Sequence, residues 1–84
     1  MSLVMPIVHM NGTSRRELTN LRYNAAHKIR EALEALSEMA PNGRDYYPEP
    51  GRLEQALEQH LRRVRMLTAL QKEIDAELIA LEER

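Results

Sequence analysis

The sequence predicts an all-α protein: an antiparallel two-helix hairpin with a short extended N-terminal arm, dimerising into a four-helix bundle. Three observations carry this expectation. Two long segments place apolar residues at helical spacing. A Pro- and Gly-rich stretch separates them. The chain is 84 residues long and has no Cys, so it forms one small domain with a marginal core and no disulfide. Small folds make up the shortfall with a disulfide, a metal or oligomerisation. With three His and no thiolate, oligomerisation is the route that remains.

Composition narrows the function classes. Charged residues make up 30% and the net charge is −1, which argues against a strongly basic nucleic-acid binder or a partner of anionic membranes. There are three Tyr, no Phe and no Trp, so the core is expected to be Leu, Ile, Val, Met and Ala. No apolar run approaches the roughly 18 residues of a membrane span, and no signal-peptide pattern is present. The expected location is the cytoplasm, with no membrane contact.

The arm occupies residues 1–12. Residues 1–4 are either native or an expression leader ahead of a start at Met5; in the second case Leu3 and Val4 carry no functional argument. β-branched Ile7 and Val8 favour an extended conformation, and Pro6 confines any strand to an edge. Asn11-Gly12 signals a turn.

The first helix is expected over 13–40. Ser14, with Glu17 three residues on, fits a capping box in which the hydroxyl accepts from the Glu17 amide; Thr13 is the alternative cap. The apolar stripe runs Leu18, Leu21, Ala25, Ile29, Ala32, Leu36 and Met39, widened by Ala26 and Leu33. Pro41 ends it, because proline cannot continue a helix and disfavours helical geometry in the residue before it.

Residues 41–51 hold three Pro and two Gly and form the connection. The second helix is expected over 52–84, beginning near Pro50 or Gly51, since Pro suits a first turn. Its seam is Leu53, Leu57, His60, Val64, Leu67, Gln71, Ile74, Leu78 and Leu81, a strict heptad alternation of four and three. Leu61 and Leu70 lie beside it and broaden the face, which suggests contact with more than one helix.

Charge sets the direction of pairing. Residues 13–30 carry five positive charges against Glu17, and 31–40 carry Glu31, Glu34 and Glu38 with no positives. Residues 52–68 carry Arg52, Arg62, Arg63 and Arg65 against two Glu, and 69–84 carry five acidic residues against Lys72 and Arg84. Antiparallel pairing sets positive against negative at both ends. Each exposed pair contributes only ~0.2–1 kcal/mol, so the pattern selects orientation more than it stabilises. With Ala40 opposite Leu53, helical rise places Arg16 near Glu77, Glu31 near Arg62, and Gln71 near Arg22.

Several residues invite a functional reading. His60 and Gln71 interrupt the second seam; as polar seam residues they more simply set register or oligomeric state than bind a ligand. His9, His27 and His60 have no HxxxH or HExxH spacing, so no metal site and no cofactor is expected. Arg62, Arg63 and Arg65 suit phosphate or a solvated face answering Glu31, Glu34 and Glu38. The loop tip, Arg44, Asp45, Tyr46 and Tyr47, is the candidate partner-contact site, with the Tyr residues as hot spots. The simpler alternative is a plug in which a Tyr closes the open end of the hairpin, and one Tyr inward with one outward satisfies both. Ile7, Val8, Leu61 and Leu70 are the candidate oligomer interface, with the arm crossing to the partner subunit. No phosphate loop, nucleophile elbow or Cys nucleophile is present, so no catalytic residue is assigned.

Two segments, Ile7-Val8-His9-Met10-Asn11-Gly12-Thr13-Ser14 and Ala40-Pro41-Asn42-Gly43-Arg44-Asp45-Tyr46-Tyr47-Pro48, with their flanking helices, resemble a group of short, functionally uncharacterised proteins encoded in bacteriophages and prophages of proteobacteria. The likeness runs from about Met5 onward, and the loop is its specific part. It implies a phage setting, in which small helical proteins serve virion assembly, head–tail joining or DNA packaging. After Tyr47-Pro48 the group's pattern has Gln-Gly where this chain has Glu49-Pro50-Gly51, a departure at the start of the second helix and not at a site.

The expected function is therefore a non-enzymatic protein–protein interaction or assembly protein: a homo-oligomeric helical adaptor of phage origin, with a homodimer as the expected partnership. It would act in the bacterial cytoplasm or on the virion, with another phage protein as a further partner. The alternative is a nucleic-acid accessory in packaging or regulation that uses Arg15, Arg16 and the Arg62–Arg65 cluster.

Overall fold

A computed structural model describes residues 3–83. Met1 and Ser2, within the segment read as either native or an expression leader, and Arg84, counted with the second helix, lie outside the described residues. The element order is α1 (Arg15–Glu38), a single 3₁₀ turn (Gly43–Asp45) and α2 (Pro50–Glu82). The two helices pack on each other as a hairpin.

α1 begins as its sequence dictates. Ser14 is extended and its Oγ accepts from the Glu17 amide at 3.1 Å, which satisfies one of the unpaired donors of the first turn. Replacing Ser14 by Ala is expected to cost about 1 kcal/mol. Thermal melting checks it: the midpoint falls by roughly 4–8 °C, and Ser14→Asp, which restores an acceptor, recovers most of the loss. α1 closes at Met39, whose amide donates to Leu36, while the Ala40 amide donates to Ser37. The helix stops there because Pro41 follows.

α2 starts two residues before the expected 52, with Pro50 at its first helical position and no side-chain cap. A missing amide costs nothing at that position. The connection is correspondingly 39–49 rather than 41–51.

Every position of the predicted α2 seam except Leu57 is buried or half-buried, His60 and Gln71 included. On α1 the covered line runs Leu18, Arg22, Ala26, Ile29, Leu33 and Leu36, with Ala25 and Ala32 beside it. Leu21 and Met39, expected in the stripe, are exposed. Arg22 takes the place intended for Leu21 because Glu77 of α2 meets its head group. Arg22 Nε lies 2.9 Å from Glu77 Oε1, with side chains 20% and 19% exposed, and Nη1 donates to the Leu18 carbonyl at 3.1 Å.

That contact also corrects the register. Arg22, not Arg16, faces Glu77, and Tyr23 Oη donates to Glu82 at 2.8 Å. α1 therefore pairs with residues further along α2 than a short connection allows. Glu31 does not answer Arg62; it pairs with His27 (2.8 Å) and Lys28 (3.7 Å) on its own helix. The first turns of α2 project past the end of α1, and the connection runs beside them. Gly43 lies there, with Leu53 Cδ2 4.0 Å from where a Cβ on Gly43 would stand.

The Tyr23 phenol is held above its usual value of about 10 by its hydrogen bond to Glu82, then by the Glu82 charge and by desolvation. A group whose pKa is raised in the folded state contributes stability below its unfolded pKa and loses it as pH rises through the folded value. Wild type is therefore expected to lose stability above about pH 10 more steeply than Tyr23→Phe. Urea midpoints at pH 8, 10 and 11 would show parallel curves if the contact is absent in solution.

The core sits at the end of the hairpin away from the connection, where Leu18, Ala26, Leu78 and Leu81 are buried and Leu81 is 0% exposed. The last turns of α2 are covered on several sides: Glu73, Ala76, Glu77 and Ala80 are half-buried as well as the seam. One neighbouring helix covers one stripe. The arm enters α1 at this end, and its Met5 and Pro6 are half-buried. No strand forms in the arm among the described residues. The expected turn does form, with the Gly12 amide donating to the His9 carbonyl at 3.2 Å. The His9 ring lies so close that a Cβ on Gly12 would stand 2.6 Å from Nε2.

Candidate partner-contact surface

The loop tip is ordered by its own hydrogen bonds. Asn42 caps the 3₁₀ turn, its Oδ1 accepting from the Arg44 amide at 3.0 Å and its Nδ2 donating to Asp45 Oδ2 at 3.2 Å. The Tyr46 amide donates to the Gly43 carbonyl at 3.3 Å, and the Glu49 amide to Tyr46 at 2.9 Å. The Tyr47–Pro48 bond is cis. Glu49 and Arg52 form an ion pair across the start of α2.

This framework separates the two aromatic side chains. Tyr46 is half-buried and borders a shallow groove of about 360 Å³ with Arg52, Gln55, Ala56 and Gln59. Tyr47 is 84% exposed, and Arg44 and Asp45 are exposed beside it. One Tyr thus covers the projecting turns of α2 while the other three candidate contact residues face solvent. A second shallow depression of about 260 Å³ runs from Asp45 to Arg52 along the same tip. Both are open grooves rather than enclosed pockets.

The candidate oligomer residues are not one patch. Ile7 and Val8 are exposed on the arm. Leu61 and Leu70 are 49% and 42% exposed, but nine residues is two and a half helical turns. They therefore sit on opposite flanks of α2, and one partner surface cannot cover both. Sequence reading also missed exposed Leu21, Met39, Met66 and Ile79. Met66 and Ile79 lie off the seam, and only the periodicity of the whole face, weighed against the observed register, marks them out.

The polar candidates are dispersed. Arg62 and Arg65 are exposed and Arg63 half-buried; among the described residues none of the three has an ion-pair partner. His27 pairs with Glu31, His60 lies in the seam and His9 stands over Gly12. Among the described residues no group of three His, Cys, Asp or Glu side chains is placed to hold a metal ion, and no helix is long and apolar enough to cross a membrane.

The hairpin is unusually open for its size. Its extents are 63 × 23 × 18 Å and its radius of gyration 18.3 Å, against about 12 Å for a compact domain of this length. Its accessible surface is 6731 Å², against about 5,200 Å² for a compact monomer of 9.8 kDa. The class is that of a small helical hairpin with more apolar positions than its own two helices can cover. No family model, no curated protein and no solved structure matches the chain.

Proposed function

We propose that this chain is a non-enzymatic assembly protein of phage or prophage origin, acting as a homo-oligomeric helical adaptor in the bacterial cytoplasm or on the virion. The observation that carries the oligomeric part is the exposed apolar surface. Leu57, Leu61, Met66, Leu70 and Ile79 on α2, with Leu21 and Met39 on α1, are exposed in the single hairpin. They lie on several flanks of the two helices, more apolar surface than one hairpin can cover, and oligomerisation is the usual remedy in a fold this small. The excess over a compact monomer is about 1,500 Å², more than the about 800 Å² per partner of a standard interface. The phage setting rests on the resemblance of the arm and loop segments.

In this reading association covers the helix flanks, and Arg44, Asp45 and Tyr47 at the tip remain available to a second phage protein. Light scattering coupled to size exclusion tests it on the intact chain. A mass of twice 9.8 kDa or a higher multiple is the expected result, and a monomer at every concentration overturns it. The same measurement on a chain lacking residues 1–10 reports on the arm: a fall in mass places Ile7 and Val8 in the interface.

The nucleic-acid reading draws on one observation, the exposed and unpaired Arg62 and Arg65. It predicts DNA affinity that falls steeply with salt. Absence of binding at low salt removes it.

A further inference from the structure

Resting on the oligomeric reading above, we infer that the partner of the first half of α2 is the same half of a second copy, packed antiparallel about a two-fold axis perpendicular to the helices, through the stripe Leu57, Leu61, Val64 and Thr68. Three observations lead there. First, the loop covers only one flank of these turns. Tyr46 borders Arg52, Gln55, Ala56 and Gln59, and Arg52 lies nine residues, or half a circumference, from Leu61. The connection also reaches Leu53, whose Cδ2 lies 4.0 Å from where a Cβ on Gly43 would stand. The flank bearing Leu57 and Leu61 is left exposed.

Second, that flank is itself a seam. Leu57, Leu61, Val64 and Thr68 follow spacings of four, three and four, the repeat that keeps one helix face against another. Leu57 and Val64 are shared with the α1-facing seam, so α2 presents two adjoining stripes, as a helix in a bundle does.

Third, the charges beside the stripe are complementary to themselves when reversed. In an antiparallel pair that layers Leu61 on the partner's Val64, and Leu57 on the partner's Thr68, Glu58 falls beside the partner's Arg65. The two-fold axis repeats the contact. Within the chain neither Glu58 nor Arg65 has an ion-pair partner among the described residues. A parallel pairing along the same stripe would place Glu58 and the partner's Arg65 on opposite sides of the seam, and the two charges would not meet. The isologous geometry is the usual one for a homodimer.

Five full-length proteins, compared by light scattering and sedimentation, test this. Wild type is expected at twice 9.8 kDa. Leu61→Glu is expected to dissociate while its far-ultraviolet circular dichroism stays helical, because Leu61 is exposed in the hairpin. Leu70→Glu, on the opposite flank, is expected to remain a dimer. Glu58→Arg is expected to weaken the dimer by roughly 10-fold, because it replaces two attractive contacts by two repulsive ones, and adding Arg65→Glu to it restores the affinity. A dimer untouched by Leu61→Glu but broken by Leu70→Glu overturns this interface and leaves the oligomeric reading standing. A dimer that Glu58→Arg does not weaken overturns the antiparallel pairing. A monomeric wild type overturns both.

Discussion

Replacing Leu81 by Ala is expected to destabilise the protein by about 2–4 kcal/mol, the largest effect of any single truncation in the hairpin. Leu81 is the one large side chain with no exposed surface among the described residues. Burial of a Leu side chain contributes about 1.5–3 kcal/mol, and truncation to Ala adds the cost of the cavity left behind. The site lies near the end of the hairpin away from the connection, so partial collapse keeps the loss in the lower part of the range for Leu→Ala. For a domain of this size that loss lowers the thermal midpoint by roughly 10–25 °C. Ile79, two residues earlier and 56% exposed, is the control. Ile79→Ala is expected to change stability by less than about 0.5 kcal/mol, since it removes little buried area and Ala favours the helix. Denaturant midpoints for the two variants decide the matter. Equal effects would mean that the last turns of α2 do not pack as described.

Breaking the Arg22–Glu77 pair is the second large effect. Glu77→Ala leaves a largely covered guanidinium with only the Leu18 carbonyl as acceptor. Removing one partner of a buried pair costs about 3–5 kcal/mol. At one-fifth exposure, solvent and salt screen the charge, and about 1–2 kcal/mol is expected. Replacing both partners together, Arg22→Met with Glu77→Leu, is expected to recover most of that loss, because desolvating a pair offsets much of its attraction. A double-mutant cycle by urea denaturation measures the coupling. The double variant should keep its stability yet lose definition of register, seen as broadened amide resonances along α1. A double variant as unstable as Glu77→Ala would mean that the pair contributes net stability and not only alignment.

The function proposed here depends on what these two sites hold in place. Leu81 fixes the end where α1 begins and α2 finishes. Arg22 and Glu77 fix how far α2 projects at the other end. That projection carries Tyr46 on one flank and the Leu57–Leu61 stripe on the other. Both the loop tip and the inferred self-interface are thus consequences of register.

Much of this architecture is local and was legible in the residues. Ser14 and Glu17 mark the start of α1, Ala40-Pro41 its end, and Pro50 the start of α2, because caps and proline act over one turn. The α2 heptad from Leu53 to Leu81 identifies its covered face, because a helix repeats every 3.6 residues wherever it lies. The opposed charge halves of the two helices chose the antiparallel direction, since that choice needs only the sign of each end. The partner-contact loop was marked by its composition, but the division between Tyr46 and Tyr47 was not, because it depends on where the turn after Gly43 directs each ring.

Register and azimuth were decided by tertiary structure. Spacing shows which residues share a stripe, but not how far one stripe slides along another. The slide was set by a non-local contact, Arg22 with Glu77, and by a connection that runs beside α2 instead of closing tightly at Ala40. The same contact rotated α1 so that Arg22 and Ala26 face inward and Leu21 faces out. Leu61 and Leu70 broaden the seam on opposite sides, as their nine-residue spacing requires, but spacing does not show which of the two flanks the packing leaves open. Local periodicity fixes the faces of a helix, whereas only the packing of two helices and the path between them fixes which faces stay open.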